Sequence, residues 1–195
     1  MRQLLYSSLL LLLVANACKS KKDNNATLPE QSNTSDTTTF YDIKSFFESE
    51  INDVKTTPYF MYTKITKDDK KKDSLPITIK DFIELAKPFT EKDITQKEIK
   101  HFYKEDVFRD LSTKSITFSY STKNPELEIQ NIDVLVNEET NKVKFVIIRV
   151  NKTTSDSIVI SQMNWNKGNS FFINKTVVKK DGNKSSTQQL VSWNN

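Results

Sequence analysis

From Lys114 onward the chain carries six stretches rich in β-branched and aromatic residues: "KSITFSY", "LEIQNIDVLV", "KVKFVIIRV", "DSIVISQMNW", "SFFINKTVV" and "QQLVSW". Such runs are strand material. The segments between them hold turn residues: Lys123-Asn124-Pro125, Glu138 to Asn141, Asn151 to Ser155, Lys167-Gly168-Asn169 and Asp181-Gly182-Asn183. The chain has only 2 glycines in 195 residues, and both sit in these turns, where a positive φ is wanted. Connections this short join antiparallel neighbours, because a parallel crossover takes about a dozen residues or more. The pattern predicts a bent, mostly antiparallel, six-stranded meander sheet.

Side-chain parity adds detail. Leu127 and Ile129 alternate, but the next apolar set is Ile132, Val134 and Val136. The flip across Gln130-Asn131 predicts a β-bulge. The central strands are apolar on both parities. Val143, Phe145 and Ile147 oppose Val146, Ile148 and Val150. Ile158 and Ile160 oppose Val159, Met163 and Trp165, and Phe171, Ile173 and Val177 oppose Phe172 and Val178. A sheet with one wet face alternates apolar with polar, so both faces are expected to be covered. The second face is expected to be concave and partly apolar, closed by curling of the sheet, by a ligand or by a partner. Val146, Ile148, Arg149, Val150 and Trp165 are the candidate binding residues. Arg149 interrupts the apolar "FVIIRVN"; it either snorkels at the rim or offers a guanidinium to an anionic group.

Upstream, helical signals dominate. Thr39-x-x-Asp42 resembles a capping box before a stripe of Ile43, Phe46, Phe47, Ile51 and Val54, ended at Thr57-Pro58. Residues 59–66 predict a strand. Thr78-x-x-Asp81 opens a short helix over Phe82, Ile83, Leu85 and Ala86, stopping before Pro88. Thr95-x-x-Glu98 opens another that carries Ile99, Phe102, Tyr103 and Val107. The expected class is α+β, with N-terminal helices packed on the sheet. That order of elements resembles cystatin-like rolls, as in the nuclear-transport-factor-like superfamily, and helix-grip folds. Both host many functions.

The N-terminus speaks of place. Leu4 to Val14 is a largely apolar run after Met1-Arg2, too short to cross a bilayer, which takes about 20 residues. It has signal-peptide length and ends in Ala15-Asn16-Ala17, followed by Cys18. "VANAC" resembles a bacterial lipobox. The resemblance implies removal of residues 1–17 and a diacylglyceryl group on Cys18. Cys18 is the only Cys, so no intramolecular disulfide forms, and lipidation removes a free thiol from an oxidising compartment. Residues 18–38 are expected to be the lipidated Cys and a disordered polar tether with a span of about 25 Å. Residues 39–195 are expected to form one globular domain. Lys19 after the Cys, rather than Asp, implies by the same resemblance the outer membrane, at its periplasmic face.

Chemistry is scarce. No phosphate-cradling glycine loop and no nucleophile elbow occur. His101 is the only histidine; Glu98 and Glu105 lie near it at helical spacings, a common surface pattern rather than a metal site. Glu105, Asp106, Arg109 and Asp110 read as a solvated helix end. Lys and Arg number 29 against 25 Asp and Glu, a mixed surface rather than a nucleic-acid footprint. No catalytic residue, cofactor, metal or nucleic acid is expected. The leading expectation is a membrane-anchored, non-catalytic factor that binds another envelope protein. The alternative is a carrier of a small amphipathic, lipid-like ligand in a sheet-lined cavity.

Overall fold

A computed structural model describes residues 40–71 and 73–193. The expectations for the signal peptide, for Cys18, for the tether and for Thr39 lie outside the described residues.

Helix α1 spans Ile43–Thr56, preceded by its N-cap Asp42, whose side chain accepts from Ser45 N–H at 3.0 Å. Strands β1 (Tyr62–Lys67), β2 (Lys70–Lys71) and β3 (Leu75–Pro76) follow. Next come α2 (Ile79–Thr90) and α3 (Lys97–Lys100). Seven consecutive strands then complete the chain: β4 (Tyr103–Asp110), β5 (Ser115–Thr122), β6 (Ile129–Asn137), β7 (Val143–Thr153), β8 (Ser157–Asn166), β9 (Ser170–Lys179) and β10 (Lys184–Ser192). They form one 10-stranded sheet in the order β2-β1-β10-β9-β8-β7-β6-β5-β4, with β3 paired to β1.

The six-stranded expectation is therefore corrected. The sheet is antiparallel and larger, and it dominates the fold. Strand β1 pairs with β10 through six register pairs from Tyr62–Ser192 to Lys67–Thr187, which brings the first strand beside the last. At the other end β4 adds eight pairs to β5. The helices do not all precede the sheet, since α2 and α3 lie between β3 and β4. The resemblance to cystatin-like and helix-grip folds fails with that element order. Among the described residues the path also has two open ends, at β2 and β4.

The segment read as a third helix becomes α3 of four residues and then β4. Tyr103 explains the change. Its ring is buried and its hydroxyl donates to Ile129 O at 2.6 Å, which fixes the segment beside the sheet. Helix α2 runs through Pro88 rather than stopping before it. Phe89, one residue later, is fully buried among Phe47, Trp165 and Phe171. Packing of that ring outweighs the one hydrogen bond that proline cannot make. The capping box of α2 is present: Asp81 N–H donates to Thr78 Oγ1 at 3.2 Å, and Thr78 N–H to Asp81 Oδ2 at 3.0 Å.

The bulge expected near Gln130 is present. Ile129 opposes Val150 and Asn131 opposes Arg149, so Gln130 is the extra residue. A second shift lies on β7, where Leu135 opposes Phe145 but Val136 opposes Val143. Lys144 is the extra residue there. It moves Val143 onto the face of Val146, Ile148 and Val150, all buried, and away from Phe145 and Ile147.

The core lies between that face and the helices. Phe47 of α1 and Phe82 and Phe89 of α2 pack on Trp165, Phe171 and Trp193, with ring centroids about 5–6 Å apart. Phe40 and Tyr41 extend the cover to Tyr120 and Phe118. Among the described residues, no helix is long and apolar enough to cross a membrane.

Candidate functional site

Strand alternation sends every second side chain to the face away from the helices. Register pairs place Ser121, Asn131, Arg149, Gln162, Asn174, Gln188 and Thr66 in one row across that face, from β5 to β1. The next row is Ser119, Asp133, Ile147, Asn164, Phe172, Leu190 and Lys64. Hydroxyl, amide, carboxylate and guanidinium groups thus form a continuous band, with Ile147, Phe172 and Leu190 half-buried beside it. No described element covers this band.

Its centre is a connected cluster. Arg149 Nη1 donates to Asp133 Oδ2 at 2.7 Å and also to Asn131 Oδ1. Ser119 Oγ donates to Asp133 Oδ1 at 2.6 Å. Asn131 Nδ2 reaches Ser119 Oγ and Asp133 Oδ1, both at 3.2 Å. Gln162 Nε2 donates to Asn164 Oδ1 at 3.2 Å on the neighbouring strand. The Arg149 side chain remains 47% exposed while Asp133 is 20% exposed. The guanidinium therefore holds the cluster together and still presents donors outward, the geometry that suits planar acceptors such as carboxylates and backbone carbonyls. A shallow depression of ≈ 310 Å³ adjoins the band between β1, β10 and β9, lined by Thr66, Asn174, Thr176 and Gln188 among others.

Four of the five candidate binding residues share the buried face and the fifth, Arg149, does not. Val146, Ile148, Val150 and Trp165 are 0%, 0%, 5% and 0% exposed and belong to the core under the helices. Arg149 alone points to the open face, because it stands one residue out of phase with its neighbours. By the same alternation Val146, Ile148 and Val150 line the face under the helices and not the open one. The open face is mixed: Phe145, Ile147, Leu135, Phe172 and Leu190 are half-buried, and polar residues stand between them. Ile158 and Ile160, at the far end of β8, are each 47% exposed. A sheet-lined ligand cavity would lie between helices and sheet. That space holds Trp165, Trp193, Phe47, Phe82, Phe89 and Phe171, each less than 2% exposed.

Asn131, Asp133, Gln162, Asn164 and Asn174 were missed in the sequence because parity was read from apolar residues. The available signal was the recurrence of amides at alternate positions of neighbouring strands. Glu50 was missed too. It is 8% exposed, and its Oε2 accepts from Trp165 Nε1–H and from Gly168 N–H.

His101 is exposed in the turn after α3, with its ring 4.0 Å from that of Phe102. Glu98 and Glu105 now belong to different elements, which removes the helical spacing read around it. Among the described residues, no group of three or more His, Cys, Asp or Glu is placed to hold a metal ion. Burial pushes the Tyr103 hydroxyl up to about 12, and burial likewise raises Tyr120. Both are structural hydroxyls: Tyr120 Oη accepts from Tyr41 N–H at 2.9 Å, anchoring the segment before α1. Asp110 is held down at about 2 by hydrogen bonds from Ser112 and Thr113 in the β4–β5 turn. Tyr103 and Tyr120 are turned into the core, and Asp110 stands at the end of β4, outside the two rows of the band.

Comparison with family models, with curated proteins and with solved structures finds no match.

Proposed function

We propose that this chain is a lipid-anchored envelope protein of the outer membrane, at the periplasmic face, that binds another protein without catalysis. Cys18 carries the anchor, and the sheet presents the docking surface. The observation that supports this reading is the uncovered face: a band of hydrogen-bonding side chains across seven strands, centred on Arg149, with half-buried Ile147, Phe172 and Leu190 beside it. An array of donors and acceptors with apolar patches matches the composition of non-obligate interfaces, which are about as apolar as the rest of a protein surface. The aromatic filling of the core favours docking over carriage of an amphipathic ligand.

A photo-crosslinking residue placed at Gln162 or Asn164 tests the surface in intact cells. It is expected to trap one defined protein. The same residue at Lys180, in the exposed β9–β10 turn, is expected to trap none of it. Equal labelling from both positions defeats the reading. Cys18→Ala tests the anchor: the product is expected to leave the membrane fraction and to lose labelling by a fatty-acid probe.

A further inference from the structure

The sheet ends differently at its two edges. At one end β1 is flanked by β2 and β3, each of two residues, which blunt it. At the other, β4 runs for eight residues with no described strand on its outer side. Val107 and Phe108 there are 58% and 66% exposed. A long free edge with exposed apolar residues is a pairing template.

The charges along β4 read Lys104, Glu105, Asp106, Val107, Phe108, Arg109, Asp110. Laid antiparallel against a second copy with Val107 opposite Val107, this strand sets Glu105 opposite Arg109 and Lys104 opposite Asp110, each pair occurring twice. Asp106 meets Phe108, which is neutral in charge. A slip of one residue one way sets Lys104 opposite Arg109; the other way sets Glu105 opposite Asp110, a repulsion that only cancels the attraction of Asp106 opposite Arg109. A slip of two sets Asp106 opposite itself or opposite Asp110. Opposite charges directly across a strand pair stabilise it and like charges oppose it. Among these registers, the one with Val107 opposite Val107 alone brings opposite charges together with no like-charge pair. We infer that two copies of this chain join edge to edge through β4, with a two-fold axis at Val107, into one continuous sheet.

The existing ion pairs are compatible with this. Lys104 bonds Asp106 at 2.8 Å with both side chains more than half exposed, and Arg109 reaches Glu138 from an exposed position. Exposed pairs contribute little, so sharing them with a second copy costs little. The two-fold makes the contact isologous and closed, which limits it to a dimer. This inference concerns the sheet edge and stands apart from the open face.

The test is a cysteine scan of β4 in the full chain, oxidised in its own membrane, with the unaltered chain as background. Val107→Cys is expected to give a disulfide-linked dimer, because residues directly opposite have Cβ atoms about 5 Å apart. Co-expressed Asp106→Cys and Phe108→Cys chains are expected to give a mixed dimer, with less from either alone. Glu105→Arg is expected to cut the Val107→Cys cross-link several-fold, and adding Arg109→Glu to restore it. No dimer at Val107→Cys, cross-linking independent of position, a link to another polypeptide in its place, or no rescue by the charge swap each overturns the inference.

Discussion

Glu50 Oε2 accepts a hydrogen bond from the Trp165 indole Nε1–H at 3.3 Å. The same oxygen accepts from Gly168 N–H at 2.6 Å in the β8–β9 turn. One carboxylate on α1 thereby fixes both the largest buried ring and the adjoining hairpin.

Removing that carboxylate leaves two donors to be satisfied in a site that is 8% exposed at Glu50. Glu50→Ala is expected to lower stability by about 1–3 kcal/mol. Glu50→Gln keeps an acceptor oxygen and is expected to lose less. Denaturant midpoints of the two variants, at unchanged slope, check the order.

Gly168 and Gly182 have φ of +65° and +84°, and a Cβ at either meets nothing within 4 Å. The cost of a side chain there is conformational rather than steric. Gly168→Ala and Gly182→Ala are each expected to cost about 1–2 kcal/mol, the penalty of left-handed backbone for an L-residue. Thermal melts measure it. A much larger loss at either position would point to a contact beyond backbone conformation.

Tyr103 titrates near 12 when folded, above the ordinary 10.0, because its ring is buried. The unfolded chain therefore loses this proton first as pH rises. The contribution of Tyr103 is fully present below pH 10 and is lost between about 10 and 12. Asp42, the N-cap of α1, and Asp81, in the first turn of α2, lie below the ordinary 3.8 because Ser45 and Thr78 donate to them. Their contribution is present above that value and lost as pH falls through the lowered one. Tyr103→Phe is expected to flatten the alkaline limb, read by denaturation across pH.

Arg149 bridges Asp133 and Asn131 on the open face, with its side chain 47% exposed. An ion pair so exposed contributes at most about 1 kcal/mol. Arg149→Ala is expected to leave the melting curve nearly unchanged and to abolish photo-crosslinking from Gln162. Retained crosslinking removes Arg149 from the docking surface.

Much of the meander was legible. The turns at Gly168 and Gly182, the capping box at Thr78 and the bulge at Gln130 each rest on residues within a few positions of one another. Phase along β7 was not legible, because Lys144 carries no local mark of being a bulge. One extra residue there moved Val143 to the other face. Strand β4 was hidden for a different reason. At a sheet edge both faces meet water, so Lys104, Glu105, Asp106 and Arg109 break the alternation that marks a strand, and the charges imitate a helix end.

The sequence by itself determined the six C-terminal strands and the turns between them, since backbone preference and turn chemistry act over a few residues. Only the tertiary structure decided which face each strand shows. The helices cover one side of the sheet, and strand parity then carries Trp165 inward and Arg149 outward. That choice depends on contacts such as Phe47 with Trp165 and Tyr62 with Ser192, between residues more than a hundred positions apart. Burial energy is gained when such surfaces meet, and no local pattern records in advance where they will.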